Sequence, residues 1–304
     1  MSSSGTSESR VGRAPNHGAP AQGIRETTMA QAGTQKKLER LMHDLASSGP
    51  VLVAFSGGVD SAFLLTAAVR ALGGEKVLAA TAEGPLFPKR ELERATAFCR
   101  ERRIARRGLP FDPTGRDAFS CNPPDRCRLC KEALSALLWE AAGASGAGRV
   151  LHGANLDDLD DYRPGLRAAR EAGLEAPLLE AGLEKAEIRR LSREMGLPTW
   201  DLPSRACLAS RIPYGERITP PVLKRIDRAE RYLEEAGFSQ VRVRHHRGLA
   251  RVEIPPGEIA RVLEPGTRKA VVDRLRELGF LHVALDLEGY VTGSLNREII
   301  ENQA

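Results

Sequence analysis

Residues 51–61 read VLVAFSGGVDS, an apolar run followed at once by two glycines and a polar turn. The run has the length of a buried parallel strand, and the next residues, AFLLTAAVRAL, have the apolar pattern of a helix. Gly57 and Gly58 permit a tight turn with close backbone approach, and Asp60 and Ser61 lie within capping range of the helix. Strand, turn and helix start direct free N–H groups and the positive dipole end at one point, which predicts a phosphate site.

The motif differs from the GxxxxGK[ST] phosphate loop, because the residue directly before Ser61 is an aspartate and not a lysine. At the end of a first strand, SGGVDS instead resembles the PP-loop of ATP pyrophosphatases. That resemblance implies cleavage of ATP between its α and β phosphates and activation of a substrate by adenylation. The alternative interpretation is a strand-to-helix turn with a purely structural role. The residues predicted to contact ATP in this loop are Ser56, Gly57, Gly58, Val59, Asp60 and Ser61.

Composition narrows the class of protein. A chain of 304 residues suits two domains, and a hydrophobic fraction of 41% is enough for a substantial core. The net charge of +5 is spread among interspersed acidic and basic residues, which fits anionic ligands but falls short of a nucleic-acid footprint. No apolar run approaches transmembrane length and no signal-like segment begins the chain, so we expect a cytoplasmic protein with no membrane partner.

Strand and helix patterns alternate over residues 35–212, which predicts an α/β domain with a doubly wound parallel sheet. The second strand ends at Thr81, where this topology places the adenine ring of a nucleotide. Residues 1–34 have no hydrophobic period and are predicted to be a disordered extension. Helices and a period-two hairpin over residues 213–304 predict a smaller α+β domain.

A run of carboxylates follows a further buried strand, RVLHG, which ends at Gly153. Asp157 and Asp158 come directly after this strand end and suit Mg²⁺ held against phosphate oxygens. The alternative is a solvated acidic loop with helix-capping aspartates. The phosphate motif upstream favours the ligand interpretation, in which Gly153 also borders the nucleotide.

Five cysteines in a chain without export signals are more typical of ligands or reactive thiols than of disulfides. Cys127-x-x-Cys130 alone is ambiguous between zinc, a redox dithiol and a cluster, and Cys207 lies in a loop able to fold over the strand ends. Three thiolates suffice to hold a [4Fe–4S] cluster with one iron lacking a protein ligand. Cys121 is the candidate fourth ligand, which would close a cluster or zinc site. Cys99 lies in a helical pattern and is predicted to be a small buried hydrophobe.

Four segments together carry a closer resemblance: SGGVDS, DDLDDYRPGL, ACLASRIPYGERIT and VRVRHHRGLARVEI. They resemble the LarE family of ATP-dependent sulfur transferases, which build the nickel-pincer cofactor of lactate racemase. The resemblance covers about residues 36–290. It implies that the protein adenylates a carboxylate of pyridinium-3,5-biscarboxylic acid mononucleotide, releases pyrophosphate and forms a thiocarboxylate, twice per product.

The family has two branches that differ in the source of sulfur. One takes it from a single cysteine, left as dehydroalanine after one turnover, and Cys207 matches that position. The other carries a three-cysteine [4Fe–4S] cluster that presents an extra sulfide, and Cys127, Cys130 and Cys207 match that pattern. The resemblance therefore implies the catalytic branch, with the cluster, ATP and Mg²⁺ as cofactors. It also implies a homo-oligomer, commonly a hexamer.

The resemblance also implies a substrate site in the second domain. Arg242 and Arg244 lie on one face of their strand by the period-two rule, with Glu253 opposite on the partner strand. Two guanidinium groups make a good cradle for a nucleotide phosphate. The family binds phosphate and divalent metal on this face together with a glutamate that matches Glu230, and Arg211 is expected to meet substrate phosphate or carboxylate. Ordinary surface ion pairs are the alternative.

Asp60, Cys207 and Arg211 are the residues to which we assign catalytic roles, and a small nucleotide is the expected partner. Three other functions remain open on the sequence alone. A tRNA thiolation enzyme would need a basic patch or an RNA-binding domain, and an ATP-dependent amidotransferase would not need the three cysteines. A zinc- or cluster-binding sensor would not release pyrophosphate from ATP.

Overall fold

The computed structural model describes residues 20–159, 164–203 and 206–291. The strands are β1 (Val51–Ala54), β2 (Val77–Glu83), β3 (Arg106–Pro110), β4 (Arg149–His152), β5 (Arg242–His246), β6 (Leu249–Glu253) and β7 (His282–Leu285). The helices are α1 (Pro20–Ala46), α2 (Val59–Leu72), α3 (Lys89–Glu101), α4 (Asp117–Ser120), α5 (Arg126–Ser145), α6 (Pro164–Glu171), α7 (Pro177–Glu180), α8 (Lys185–Glu194), α9 (Pro220–Glu235), α10 (Ile259–Leu263) and α11 (Pro265–Glu277).

The first sheet has the order β3-β2-β1-β4, and each adjacent pair of strands is parallel. The chain moves outward from β1 to β3 and then crosses back to place β4 on the other side of β1. The carboxyl ends of β1 and β4 thus flank the point where the winding direction reverses, which is where α/β sheets bind ligands. The predicted α/β fold, with a smaller C-terminal sheet, is confirmed.

Both faces of this sheet are covered, which explains why β1 is continuously apolar. Val51 and Val53 pack with apolar residues of α1, α2, α3 and α8, whereas Leu52 packs on the opposite face with α5. All three side chains are buried. Alternate residues of one strand therefore serve two cores, as expected for a parallel strand between helical layers.

Two strand boundaries differ from the sequence prediction. Strand β3 was not predicted, because its sequence RRGLP has no apolar run and its position at the edge of the sheet leaves alternate residues exposed. Strand β2 continues to Glu83, because β3 pairs with it over its whole second half. Thr81 therefore lies inside the strand and not at its end.

Helix α1 begins at Pro20, before the predicted start of ordered structure at residue 35. Thr34 is buried, and its hydroxyl donates a hydrogen bond to Glu187 of α8 (2.6 Å). Lys37 pairs with the same carboxylate at 2.7 Å. These contacts hold the later part of α1 against α8, so the ordered chain extends on the N-terminal side of residue 35. Residues 1–19 of the predicted extension lie outside the described part.

The second sheet has the order β5-β6-β7, with β5 antiparallel to β6 and β6 parallel to β7. The β5–β6 hairpin turns through Arg247 and Gly248, both at positive φ, as tight two-residue turns require. In the pairing register Arg242 lies opposite Glu253, as predicted.

A shared core joins the first domain to the connecting segment and to α9. Leu86, Phe111 and Phe119 from the first domain pack with Leu208, Ile212, Ile218 and Leu223 from the connecting segment and α9. The boundary predicted between residues 212 and 213 falls inside this core. Cys207 packs against this core, and the Ser210 carbonyl accepts a hydrogen bond from Arg244 Nη1 of β5 at 2.8 Å, so the Cys207 loop contacts both domains. In the described ranges, no helix has the length and apolarity needed to cross a membrane.

Candidate functional site

The SGGVDS loop forms the predicted turn between β1 and α2. The Ser56 and Ser61 hydroxyls lie 3.1 Å apart, and the Gly58 N–H donates to Ser56 Oγ at 3.3 Å. Gly57 has φ 80° and lies so close to α3 that a Cβ atom would come within 3.1 Å of Ala95 Cβ. Both its dihedral angle and its packing therefore favour glycine.

Helix α2 begins at Gly58 as its N-cap, and no side chain caps it. The capping expected of Asp60 or Ser61 is thus wrong, since Ser61 Oγ instead donates to the Gly58 carbonyl at 3.1 Å. The helix start keeps its N–H groups and positive dipole end available to an anion.

A lysine missing from the loop sequence reaches it from elsewhere in the chain. Lys185, the first residue of α8, forms an ion pair with Asp60 Oδ2, and both side chains are largely buried. The backbone N–H of Lys185 donates to Asp157 Oδ2 at 2.5 Å. The acidic segment after β4 therefore fixes the start of α8, which in turn holds the lysine at the phosphate loop.

The Asp60 carboxylate lies in an unusual electrostatic environment. Burial raises its pKa above the ordinary value, Lys185 opposes that shift, and the nearby charge of Asp158 adds to it. Asp60 Oδ1 is buried and accepts no hydrogen bond from the residues that the structure describes. A free carboxylate oxygen with a second carboxylate nearby fits a divalent cation.

The other predicted nucleotide contacts lie around this loop. A Cβ atom on Gly153 would lie 2.9 Å from the Ser61 nitrogen, so the end of β4 packs directly on the start of α2. Thr81 is buried one residue beyond Ala80, which pairs with the last residue of β1. Its hydroxyl lacks a hydrogen-bond partner in the described ranges.

Asp157 and Asp158 both make local hydrogen bonds. Asp158 Oδ2 accepts from the Asn155 N–H at 3.0 Å, and Asp157 accepts from Lys185 as described above. The capping role considered from the sequence is therefore present, alongside the proximity of Asp158 to Asp60. Asp160 and Asp161 of the same run lie outside the described residues.

The structure brings the three predicted thiols into one neighbourhood. Cys127 and Cys130 lie in the first two turns of α5, and Cys207 is the N-cap of the short helical turn Leu208–Arg211. Cys127 is exposed and Cys130 is half-buried. Burial, together with the charge of Cys207, raises the pKa of Cys130 to about 12. Partial desolvation of the thiol and the charge of Cys207 likewise raise the pKa of Cys127. Cys207 is thus close enough to act on both thiols of the CxxC motif.

The remaining cysteines have different positions. Cys121 is exposed, and its thiol lies 3.5 Å from the Ala118 carbonyl. Cys99 is buried in the core beside α2, as expected for a small hydrophobe, and burial raises its pKa to about 11. Within the described ranges, no three His, Cys, Asp or Glu side chains are arranged around a single ion. A cluster spans several atoms, so its ligands lie farther apart than those of one ion.

Two further residues connect the thiols with the strand ends. Burial, together with the charge of Lys131, lowers the pKa of His152, the last residue of β4, to about 4. Lys131 also lies near Cys130 and Cys127, whose charges oppose the burial that lowers the lysine pKa. Lys131, which follows Cys130, and the phosphate loop, which packs against Gly153, therefore both lie near the carboxyl end of β4.

Buried arginine–glutamate pairs occupy the junction between the domains. Arg211 Nε donates to Glu230 Oε1 at 2.8 Å, and Arg244 Nε donates to Glu253 Oε1 at 2.7 Å. The Val243 N–H also donates to Glu230 Oε1, at 3.0 Å. Each of these carboxylates is less than 2% exposed. Both glutamates are therefore engaged by protein donors, and each pairs with a second arginine, Glu230 with Arg90 at 3.5 Å and Glu253 with Arg251 at 3.2 Å.

Arg242 differs from its two neighbours. Its Nη2 donates to the Tyr290 hydroxyl at 2.7 Å, and its guanidinium stacks on the tyrosine ring at 4.5 Å. Burial and the charge of Arg211 lower its pKa, and its buried Nε lacks a hydrogen-bond partner among the described residues. Arg242 thus supplies a buried positive charge with a free donor, which suits a phosphate or carboxylate.

A scan of the chain against family models finds no match. The chain is 36% identical over 275 residues to pyridinium-3,5-bisthiocarboxylic acid mononucleotide synthase of Lactiplantibacillus plantarum, and the alignment covers 90% of this chain and 98% of that protein. The chain belongs to the LarE family. It is also 42% identical over 263 residues to an uncharacterised protein of Synechocystis (86% of this chain and 98% of that one), and 26% identical over 258 residues to an uncharacterised protein of Methanocaldococcus jannaschii (84% and 97%).

Membership of the LarE family confirms the resemblance drawn from the sequence motifs. The sequence analysis did not identify Lys185, His152 or Lys131 as candidate site residues. One feature of the sequence could have indicated Lys185: it is a basic residue at the start of a helix pattern on the C-terminal side of the acidic segment. His152 had another, because a histidine at the end of a buried strand lies at the edge where such sheets bind ligands.

Proposed function

We propose that the protein is an ATP-dependent sulfur transferase of nickel-pincer cofactor biosynthesis. Its substrate is pyridinium-3,5-biscarboxylic acid mononucleotide, in which a carboxylate is adenylated and then converted to a thiocarboxylate. The name of the Lactiplantibacillus relative, a synthase of the bisthiocarboxylic acid mononucleotide, supports this substrate class. The observation that supports the proposal is that Lys131, the neighbour of Cys130, acts on His152 at the end of β4, while the next residue, Gly153, packs against the phosphate loop.

In the first step ATP binds with its phosphates over Ser56–Ser61. The substrate carboxylate attacks the α-phosphorus, pyrophosphate leaves, and an acyl-adenylate forms. The N–H groups at the start of α2 and the Lys185 ammonium stabilise negative charge on the phosphates. Asp60 and Asp158 are the residues that would hold Mg²⁺, which when bound supplies further positive charge to the phosphate oxygens.

In the second step sulfur attacks the acyl carbon, and AMP leaves. Cys127, Cys130 and Cys207 are the residues that would hold a [4Fe–4S] cluster, because they come from two segments that meet at one place. When bound, the cluster supplies the sulfide for this exchange. The protein's own contribution is to place the thiols beside the strand ends, with Lys131 adding positive charge nearby.

The substrate is a nucleotide, and its phosphate needs a site of its own. We propose that Arg242 binds that phosphate, because its guanidinium is buried, free of carboxylate partners in the described ranges and has an unused Nε donor. Arg211 and Arg244 lie nearby, and their paired glutamates, Glu230 and Glu253, reduce the repulsion between the three guanidinium groups. We further propose that the protein is a homo-oligomer of the family type, for which light scattering is the test.

The experiment that tests this function supplies ATP and the dicarboxylate mononucleotide to anaerobically purified protein. We expect pyrophosphate and AMP to appear only when both are present, together with a thiocarboxylate product seen by mass spectrometry. Cys207→Ser should still release pyrophosphate but form no thiocarboxylate, whereas Cys99→Ser should do both. Pyrophosphate release that requires tRNA, transfer of nitrogen in place of sulfur, or no release at all would each overturn the proposal.

A further inference from the structure

The segment that precedes the CxxC motif is hydrogen-bonded to the segment that follows Cys207. The Gly215 N–H donates to the Asn122 carbonyl at 3.0 Å, and the Ile218 N–H donates to the Ser120 carbonyl at 2.8 Å. These bonds join positions roughly a hundred residues apart in sequence. They lie between α4 and α5 on one side and between Cys207 and α9 on the other.

The Asn122 side chain makes the central contacts between these segments. It is completely buried, and its Nδ2 donates to the carbonyls of Ile212 (3.2 Å) and Pro213 (2.6 Å). The backbone of Asn122 is left-handed, with φ 59°, a conformation that asparagine tolerates better than most residues. This conformation directs a short amide side chain into the Cys207 loop.

Arg126 completes the contact from the first turn of α5. Its Nη1 donates to Asn122 Oδ1 at 2.5 Å, and its guanidinium stacks over the Tyr214 ring at 4.6 Å from the centroid. Arg126 is buried and directly precedes Cys127 in the chain. One asparagine thus links the residue beside Cys127 to the backbone shortly after Cys207.

We propose that Asn122 and Arg126 are positioning residues that hold the CxxC helix against the Cys207 loop before any metal or cluster binds. The contacts named above run between amide, guanidinium, carbonyl and aromatic groups, and Arg126 also lies beside the Cys127 thiol. Geometry set in this way removes the cost of ordering a loop during ligand binding. The inference rests on the proposed function only for the identity of what the three thiols hold.

The test measures thiol proximity in the metal-free full-length chain with dibromobimane, which becomes fluorescent after alkylating two neighbouring thiols. Mass spectrometry then separates the cross-link within the helix, Cys127–Cys130, from cross-links to Cys207. We expect both kinds in the wild-type chain. In Arg126→Ala and Asn122→Gly, the rate of cross-linking to Cys207 should fall by about fivefold or more, as expected from loss of a buried hydrogen bond. In Asn122→Gly the cross-link within the helix should form at its wild-type rate. In Arg126→Ala, which also removes the neighbour of the Cys127 thiol, cross-linking to Cys207 should fall relative to the cross-link within the helix.

Arg128→Ala is the matched control, because Arg128 lies on the same helix but pairs only with exposed Asp125 and Glu132. It should leave both kinds of cross-link unchanged. Equal rates of cross-linking to Cys207 in wild type and in both variants would overturn the proposal. Asn122→Gly is included because glycine accepts the left-handed backbone, so this variant keeps the test decisive if Arg126→Ala does not fold. The assay contains neither ATP nor iron, so its outcome is independent of the proposed catalytic activity.

Discussion

At the scale of single residues, the phosphate loop acquires its lysine through folding. SGGVDS contains no basic side chain, yet Lys185 forms an ion pair with Asp60 in the middle of the motif. The glycines, serines and Asp60 of the loop could be predicted from the sequence, because the motif is continuous. Lys185 could not, since the contact joins residues 125 positions apart.

The first prediction concerns Lys185. Lys185→Ala should weaken ATP binding by about tenfold or more, because a charge-assisted contact to phosphate is lost and Asp60 remains buried without its cation. Isothermal titration calorimetry with ATP measures the effect. Lys37→Ala is the control, since Lys37 pairs with a carboxylate of the same helix, Glu187, away from the loop. Equal ATP affinity in Lys185→Ala and wild type would refute the assignment.

The second prediction separates the two anionic ligands. Arg242→Ala should raise the KM for the substrate nucleotide by roughly tenfold or more while leaving the KM for ATP nearly unchanged, because Arg242 lies in the second domain with a free donor. Arg251→Ala is the control, since Arg251 is more exposed and pairs with Glu253 and Asp286. Steady-state kinetics with each ligand varied in turn measures the two KM values. A parallel rise in both KM values would contradict a substrate-phosphate role.

At the scale of secondary-structure elements, the strands and helices with a clear apolar pattern could be predicted from the sequence. β1, β4 and the helix α2 were predicted close to their observed bounds, because burial on one or both faces leaves a clear apolar pattern in the sequence. Strand β3 left no such signal, since edge pairing is made by the backbone. The start of α1 was placed too late because its docking depends on Thr34, a polar residue whose partners lie on α8.

The third prediction tests that docking through pH. Burial alone would raise the pKa of Glu187, but hydrogen bonds from Lys37 and Thr34 lower it below its ordinary value of 4.5. The ionised carboxylate therefore stabilises the folded chain above that value, and this stabilisation is lost as pH falls through the lowered pKa. Glu187→Gln should reduce the melting temperature at pH 7, with a gap to wild type that narrows in acid.

Glu194→Gln provides the comparison for Glu187→Gln. Glu194 lies on the same helix but is exposed, with Arg190 at 3.9 Å. Its replacement should change the melting temperature little at any pH. Thermal unfolding followed by circular dichroism at several pH values measures both variants. A gap between Glu187→Gln and wild type that persists unchanged in acid would show that the carboxylate charge is not what stabilises this contact.

At the scale of the whole molecule, the site is assembled where two domains share a core. The phosphate loop and the CxxC helix come from the first domain, Arg242 comes from the second, and the Cys207 loop lies between them. The sequence analysis grouped the three cysteines and the hairpin arginines by family resemblance. The sequence alone does not show that Arg211 pairs with Glu230 and Arg244 with Glu253, because these pairs depend on which strand and helix faces meet. Only the folded chain shows that the buried guanidinium of Arg242, unlike those of Arg211 and Arg244, has no carboxylate partner among the described residues.

The central claim is that the three thiols hold a sulfur-donating cluster. Its most direct test is the iron and acid-labile sulfide content, with an electron paramagnetic resonance spectrum, of protein purified without oxygen. We predict about four irons and four sulfides per chain, lost in Cys127→Ala and retained in Cys99→Ser. Zinc in place of iron, or an iron-free chain in which Cys207 loses the mass of H₂S after turnover, would contradict the account.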